Sequence, residues 1–130
     1  MNTTIVIAAA LLLNPQGQAL LVRKRGTAFF MQPGGKIDAG EQPVDALVRE
    51  LEEELGIRID PAQARFLGRS TALAANEPGC QVDCTLFRVV IDEAVVPAAE
   101  IEEACWVDAT TAITLRLAPL THHWVLPSFL

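Results

Sequence analysis

The pattern of apolar and polar positions divides the chain into short runs, with one longer stretch of helical period. Thr3–Leu13 is almost wholly apolar, and Asn14-Pro15-Gln16-Gly17 is a turn sequence. Ala19–Lys24 is apolar again and ends in the basic cluster Arg23-Lys24-Arg25. This predicts a buried central strand, a turn and a returning strand. Gly26–Gln32 reads as a connection, in which one of Phe29 and Phe30 enters the core and the other borders a cleft. Pro33, Gly34, Gly35 and Gly40 then supply a loop whose backbone can turn tightly or meet a ligand closely.

The helical stretch is Gln42–Leu55, with Pro43 suited to its first turn and Gly56 to its C-terminal cap. At about 100° per residue, Val44, Leu47, Val48, Leu51 and Leu55 form one apolar stripe, and Asp45, Arg49 and Glu52 fall opposite. Glu50, Glu53 and Glu54 share a third face beside the stripe. A solvated charge run would scatter its acids around the outer face. Carboxylates gathered at the edge of the core instead suit a hard divalent cation, which takes several oxygens from a fixed scaffold. Both readings stand on spacing alone.

Downstream, Ile57–Ile59 starts a strand that Asp60-Pro61 interrupts. Ala64–Ala74 and Gln81–Asp92 read as antiparallel strands joined by the turn Asn76-Glu77-Pro78-Gly79. Val95–Ala99 is a loop, and Ala104–Val107 a short strand. Asp108 or Thr110 caps a helix over Ala112–Leu117, Pro119 breaks the pattern, and Thr121–Leu126 is a last helical turn stopped by Pro127.

With 130 residues the chain makes one domain, 1–130, large enough for a hydrophobic core. An apolar fraction of 51% argues against disorder, and a formal charge of −6 against a surface for nucleic-acid polymers. An acidic protein still binds a polyphosphate when a metal ion intervenes. Three cysteines make no disulfide framework, and Cys80 and Cys84 have no second pair to complete a zinc site. Buried free thiols in a reducing cytoplasm are expected. Ile5–Leu13 has no preceding cation and is too short to span a membrane, so neither a leader nor a membrane contact is expected.

Residues 35–57, GKIDAGEQPVDALVRELEEELGI, resemble the Nudix box, G-x5-E-x7-R-E-U-x-E-E-x-G-U with U a bulky aliphatic. Gly35, Glu41, Arg49, Glu50, Leu51, Glu53, Glu54, Gly56 and Ile57 fill its fixed positions, and Pro33-Gly34-Gly35-Lys36 resembles the MutT-like members. The resemblance implies an α/β/α sandwich with a mixed central sheet. It implies hydrolysis of a nucleoside diphosphate linked to another group, with Mg2+ or Mn2+. It assigns Glu50, Glu53 and Glu54 as metal ligands, joined by the carbonyl of Gly35 and by a glutamate from a later loop. Glu100 is the best match for that glutamate, with Glu103 next. Glu41 and Arg49 hold the loop and helix in place, and the Arg49–Glu53 pair could orient that ligand. Which carboxylate serves as general base stays open. Arg25, Lys36, Phe30 and Thr121 are the substrate contacts by resemblance, Arg25 as a phosphate clamp. Thr121 falls where MutT-like members carry a base-reading asparagine. Phe29, Trp106 and Trp124 are further aromatic candidates for a base platform. The exposed-looking pair His122-His123 has no part in box chemistry.

The proline of the ADP-ribose branch and the tyrosine of the diadenosine-polyphosphate branch are both missing, and the chain has no tyrosine at all. Nucleoside triphosphates, ordinary or oxidised, cleaved to monophosphate and pyrophosphate, are therefore the expected substrates. Another nucleoside diphosphate derivative is the alternative within the enzyme class (a nucleotide sugar, dinucleotide or ADP-ribose). A non-catalytic nucleotide sensor is the alternative outside it. A homodimer is compatible with the fold, with no interface assigned.

Overall fold

The strand β1 (Thr3–Leu13) shows why the sheet stands between two layers. Ala8, Ala10 and Leu12 join one apolar cluster, and the intervening Ala9, Leu11 and Leu13 join another. Alternation with a period of two sends successive side chains to opposite faces, so a run apolar throughout needs cover on both. The computed structural model describes residues 3–130, so the first two residues of the expected domain lie outside the described residues.

The other strands are β2 (Ala19–Lys24), β3 (Phe30–Met31), β4 (Gly34–Lys36), β5 (Arg65–Leu73), β6 (Cys80–Val90) and β7 (Ile101–Val107). β1 runs parallel to β6 along its whole length, from Thr3 opposite Cys80 to Leu13 opposite Val90. It is antiparallel to β4, and meets β2 only at Leu13 and Ala19. β2 carries β3 and β7, and β5 lies at the far edge against β6. The sheet is thus mixed, as expected.

The helix α1 (Pro43–Leu55) covers one face with Leu47, Leu51 and Leu55 fully buried and Val44 and Val48 partly so. Each buried leucine contributes about 2 kcal/mol of apolar burial. Gly56 ends α1 in the left-handed conformation, its N–H donating to the Glu52 carbonyl. Leu120, Trp124, Val125 and Phe129 of the C-terminal segment pack on the opposite face. The short helix α2 (Ala109–Ala112) closes a third cluster with Leu21, Phe30 and Val107. Helical layers on both faces of a mixed sheet make the α/β/α sandwich.

Several local expectations are corrected. Ile57 and Ile59 are buried in the α1 layer but form no strand; Asp60 instead caps a single tight turn over Pro61–Gln63. The last strand begins at Ile101 rather than Ala104, because Glu103 and Glu102 face the cations Arg23 and Arg25 of the neighbouring β2 segment. Asp108 caps α2 as foreseen, but that helix ends at Ala112, where it was expected to begin. Pro127 does not stop the last helix. A wide π-type turn over Thr121–Val125, in which Leu126 N–H donates to the Thr121 carbonyl, leads into α3 (Leu126–Phe129). Pro127 follows directly in α3, where the wide turn before it accommodates a residue without an N–H.

Candidate active site

The site is assembled where β4 lies between β1 and α1. Gly34 has φ of +150°, and a Cβ there would overlap the backbone carbonyl of Ala8, so only glycine lets β4 lie this close to β1. A Cβ on Gly35 would overlap the Glu50 carboxylate. Glycine at this position brings the strand backbone against an acid of the helix.

Arg49 ties the loop after β4 to α1. Its Nε and Nη2 donate to the two oxygens of Glu41 at 3.1 and 2.9 Å, its Nη2 also to the Lys36 carbonyl at 3.0 Å, and its Nη1 to Glu50 at 2.9 Å. The guanidinium fork suits such bidentate contact. The Arg49 hydrogen bond and the Asp38 N–H hold the Glu41 carboxyl down at about 2. The bond to Glu41 likewise raises the Arg49 value. Glu41 and Arg49 therefore stand where they can brace loop and helix. The Arg49–Glu53 contact is long, at 3.9 Å, and the Glu53 side chain is 56% exposed. Arg49 orients Glu50 rather than Glu53.

Glu54 is 3% exposed and accepts from the Gly34 N–H at 3.2 Å. Burial pushes its carboxyl up to about 7, only partly opposed by that hydrogen bond, while the nearby Glu50 charge raises it further. Burial also raises the Glu50 carboxyl, against the pull of Arg49. Glu50 and Glu54 line one polar cavity with Gly34, Gly35, Lys24, Lys36, Asp38, Glu77 and Glu100. Glu100 pairs there with the Lys24 ammonium at 3.4 Å. Among the described residues no three acidic, histidine or cysteine side chains already converge as a finished ligand set. The residues nevertheless fit a hard divalent cation. Their candidate ligands are oxygen atoms, and burial raises the carboxyls of Glu50 and Glu54 despite Arg49 and Lys24, so a cation there would favour their charged forms.

The polar cavity adjoins a second, largely aliphatic one. Lys24, Gly34, Gly35, Lys36, Glu54 and Glu77 border both. Ile5, Ile7 and Ala9 of β1, Val22, Val82 and Leu120 give the second cavity its apolar walls, and Gln32, Asn76 and Thr121 its polar points.

The structure brings Gly35, Lys36, Glu50, Glu54, Glu100 and Thr121 to these cavities and leaves other candidates outside. Glu53 does not line either cavity, although it shares the α1 face. Arg25 reaches the Ala99 carbonyl and Glu102 instead, because the end of β2 turns Arg23 and Arg25 toward β7 and Lys24 toward the cavity. Glu103 is held by Arg23 at 2.6 Å. Phe30 is buried against Leu21 and Val107, and Phe29 lies beneath Arg116. Trp124 packs beside Gly68 and Phe129, and Trp106 against the α1 cluster. No aromatic ring borders the aliphatic cavity. His122 and His123 are exposed and touch each other. The cysteines are free, with the Cys84 thiol pushed up to about 12 by burial. The sequence reading missed Gln32, Asn76 and Glu77, and within the basic cluster it preferred Arg25 to Lys24. Strand alternation pairs Lys24 with the cavity residue Val22 and was the one local signal available.

Comparison with known proteins places this geometry in context. The NUDIX domain family model matches residues 3–128. An 8-oxo-dGTP diphosphatase of Haemophilus influenzae is 49% identical over 57 residues, covering 41% of this chain and 42% of its own. An uncharacterised Nudix hydrolase of Pseudomonas aeruginosa is 37% identical over 111 residues, covering 79% of this chain and 62% of its own. The matches thus span less than two thirds of these relatives. The crystal structure of a MutT protein from Methanosarcina mazei superposes with a TM-score of 0.76 at 22% identity, over 91% of this chain and 86% of that one, a likeness of fold. No helix among the described residues is long and apolar enough to cross a membrane.

Proposed function

The chain belongs to the NUDIX domain family, and on that premise we propose that it is a divalent-metal-dependent pyrophosphohydrolase that cleaves nucleoside triphosphates to monophosphate and pyrophosphate. The observation that carries this reading is the junction of the two cavities. An acidic chamber bearing two lysines adjoins an aliphatic chamber, along a shared border at Gly34, Gly35 and Lys36. A polyphosphate fits the first and a base the second.

Glu50 and Glu54 are the residues to hold Mg2+ or Mn2+, with Glu100 and the Gly35 carbonyl in the same chamber; Glu53, on the same α1 face but outside the chamber, is a ligand by family resemblance alone. The ion, when bound, neutralises phosphate charge and acidifies a coordinated water. Lys24 and Lys36 add positive charge for the phosphates. Arg49, anchored by Glu41, keeps Glu50 and the β4 loop in register, so that the reacting groups meet without reorganisation. The name of the Haemophilus relative puts oxidised guanine nucleotides among the substrates worth testing.

The test is incubation with Mg2+ and a panel of ordinary and oxidised triphosphates, ADP-ribose, nucleotide sugars and dinucleotides, with pyrophosphate and phosphate measured separately. Pyrophosphate release from triphosphates, abolished in a folded Glu50→Gln variant, is the expected result. Turnover of another diphosphate alone replaces the substrate. Silence on the whole panel overturns the hydrolase reading in favour of a nucleotide sensor.

A further inference from the structure

Gln32 is 7% exposed and precedes the Pro33-Gly34 approach to the phosphate end of the cleft. Its Oε1 accepts from the Thr121 hydroxyl at 2.9 Å, and Thr121 is itself fully buried. The Gln32 Nε2 has no hydrogen-bond partner, and among the described residues it is the one buried side-chain nitrogen or oxygen left so. A buried donor without an acceptor is unfavourable, and native structures leave few of them. Both Gln32 and Thr121 line the aliphatic cavity, where their neighbours include Ala118 and Leu120. A solvated glutamine would need no explanation. This one is fixed by a second buried side chain, keeps its donor unused and belongs to a residue that lines the cavity.

We propose that Gln32 is a specificity-determining residue, donating from Nε2 to an exocyclic carbonyl oxygen of the nucleotide base, with Thr121 positioning its amide. The proposal rests on the nucleotide reading of the cavity given above. Placed opposite purine C6 or pyrimidine C4, a donor meets a carbonyl oxygen in one base and an amino group in another. An oxo base completes the hydrogen bonding of Gln32. An amino base sets donor against donor and leaves both without water. With no aromatic ring bordering the cavity, aliphatic contact holds either kind of base equally, and the discrimination falls to this amide. The pocket accordingly prefers 6-oxopurine and 4-oxopyrimidine nucleotides.

The experiment compares ITP with ATP, and UTP with CTP, as kcat/KM, in the wild type, Gln32→Met and Thr121→Val. IMP and AMP binding is measured calorimetrically in parallel. The wild type is expected to favour the oxo member of each pair by about tenfold or more, as for a buried hydrogen bond made or lost. Gln32→Met, close to isosteric, brings the ratio near one. Thr121→Val lowers the ratio through Gln32, with melting temperature and far-ultraviolet circular dichroism reporting whether each variant is folded. A merely structural role for Thr121 would change turnover of both partners together. A wild-type ratio near one, a preference for the amino partner, or a ratio that survives Gln32→Met overturns the proposal. If no triphosphate is hydrolysed, the hydrolase reading fails separately. The IMP-to-AMP affinity ratio then decides: a preference for IMP erased by Gln32→Met supports the role of Gln32, and equal or absent binding of the two overturns it.

Discussion

Replacing Glu54 with glutamine should stabilise the metal-free protein in mild base while destroying its response to metal. The Glu54 carboxyl is raised from 4.5 to about 7, first by burial and against the Gly34 N–H. A folded value above the unfolded one means that the folded state holds the proton more tightly. The stability tied to that proton is fully present below 4.5 and is lost as pH rises through about 7. At roughly 1.4 kcal/mol per unit, the loss reaches about 3 kcal/mol by about pH 8, most of it incurred above about pH 5. Glutamine keeps the shape and an oxygen to accept from Gly34, but carries no charge to bury. In chelator, Glu54→Gln should therefore melt roughly 10 °C above the wild type at about pH 8, and only slightly above it at about pH 5. Adding Mg2+ or Mn2+ should raise the wild type at the higher pH, because a ligand of the folded state alone must do so. The variant should move far less. Differential scanning calorimetry across pH, with and without metal, reads all of this. A variant that melts below the wild type at about pH 8 without metal, or by the same difference at both pH values, would refute the reasoning.

The two box-loop glycines should separate fold from chemistry. Gly34→Ala collides with the Ala8 backbone and demands an unfavourable φ, so it should cost more than about 3 kcal/mol in denaturant unfolding. Gly35→Ala meets only the end of the Glu50 side chain, so it should leave the fold largely intact and lower kcat/KM about a hundredfold by displacing that carboxylate. Arg49→Lys loses the fork that holds Glu41, Glu50 and the Lys36 carbonyl together. It should lower kcat/KM about tenfold, mostly in kcat, as steady-state kinetics would show.

What could be read beforehand was what depends on local spacing. α1 announced itself by its period, by Pro43 at its start and by Gly56 at its end. β1 and β2 announced themselves as apolar runs parted by a turn. The Glu41–Arg49 brace followed from motif positions, and its hydrogen bonds match that role. Features that depend on distant partners stayed hidden. Glu103 was a candidate metal ligand because the cation that holds it, Arg23, lies far back in the chain. For the same reason Arg25 looked free for phosphate, whereas Lys24 is the cation of that cluster lining the cleft. Phe30 was a candidate for the cleft because the third apolar cluster, which buries it, draws on three separate parts of the chain. The Gln32–Thr121 bond joins residues 89 apart, and no pattern in either segment hints at it.

The parallel pairing of β1 with β6 also sets a timetable. Within this domain β1 finds β2 and β4 close behind it in the chain, but its longest partner, β6, lies some way further on, at residues 80–90. That remote partner must close a long loop before the β1–β6 ladder forms, which slows acquisition of the native state. Until residues 80–90 emerge, Ala8–Leu13 is an unpaired, wholly apolar edge, and chains arrested before that point should be the ones that aggregate. Because Glu77 and Glu100 line it beside Glu50 and Glu54, the carboxylate chamber is complete only once the segment carrying Glu100 has joined the fold.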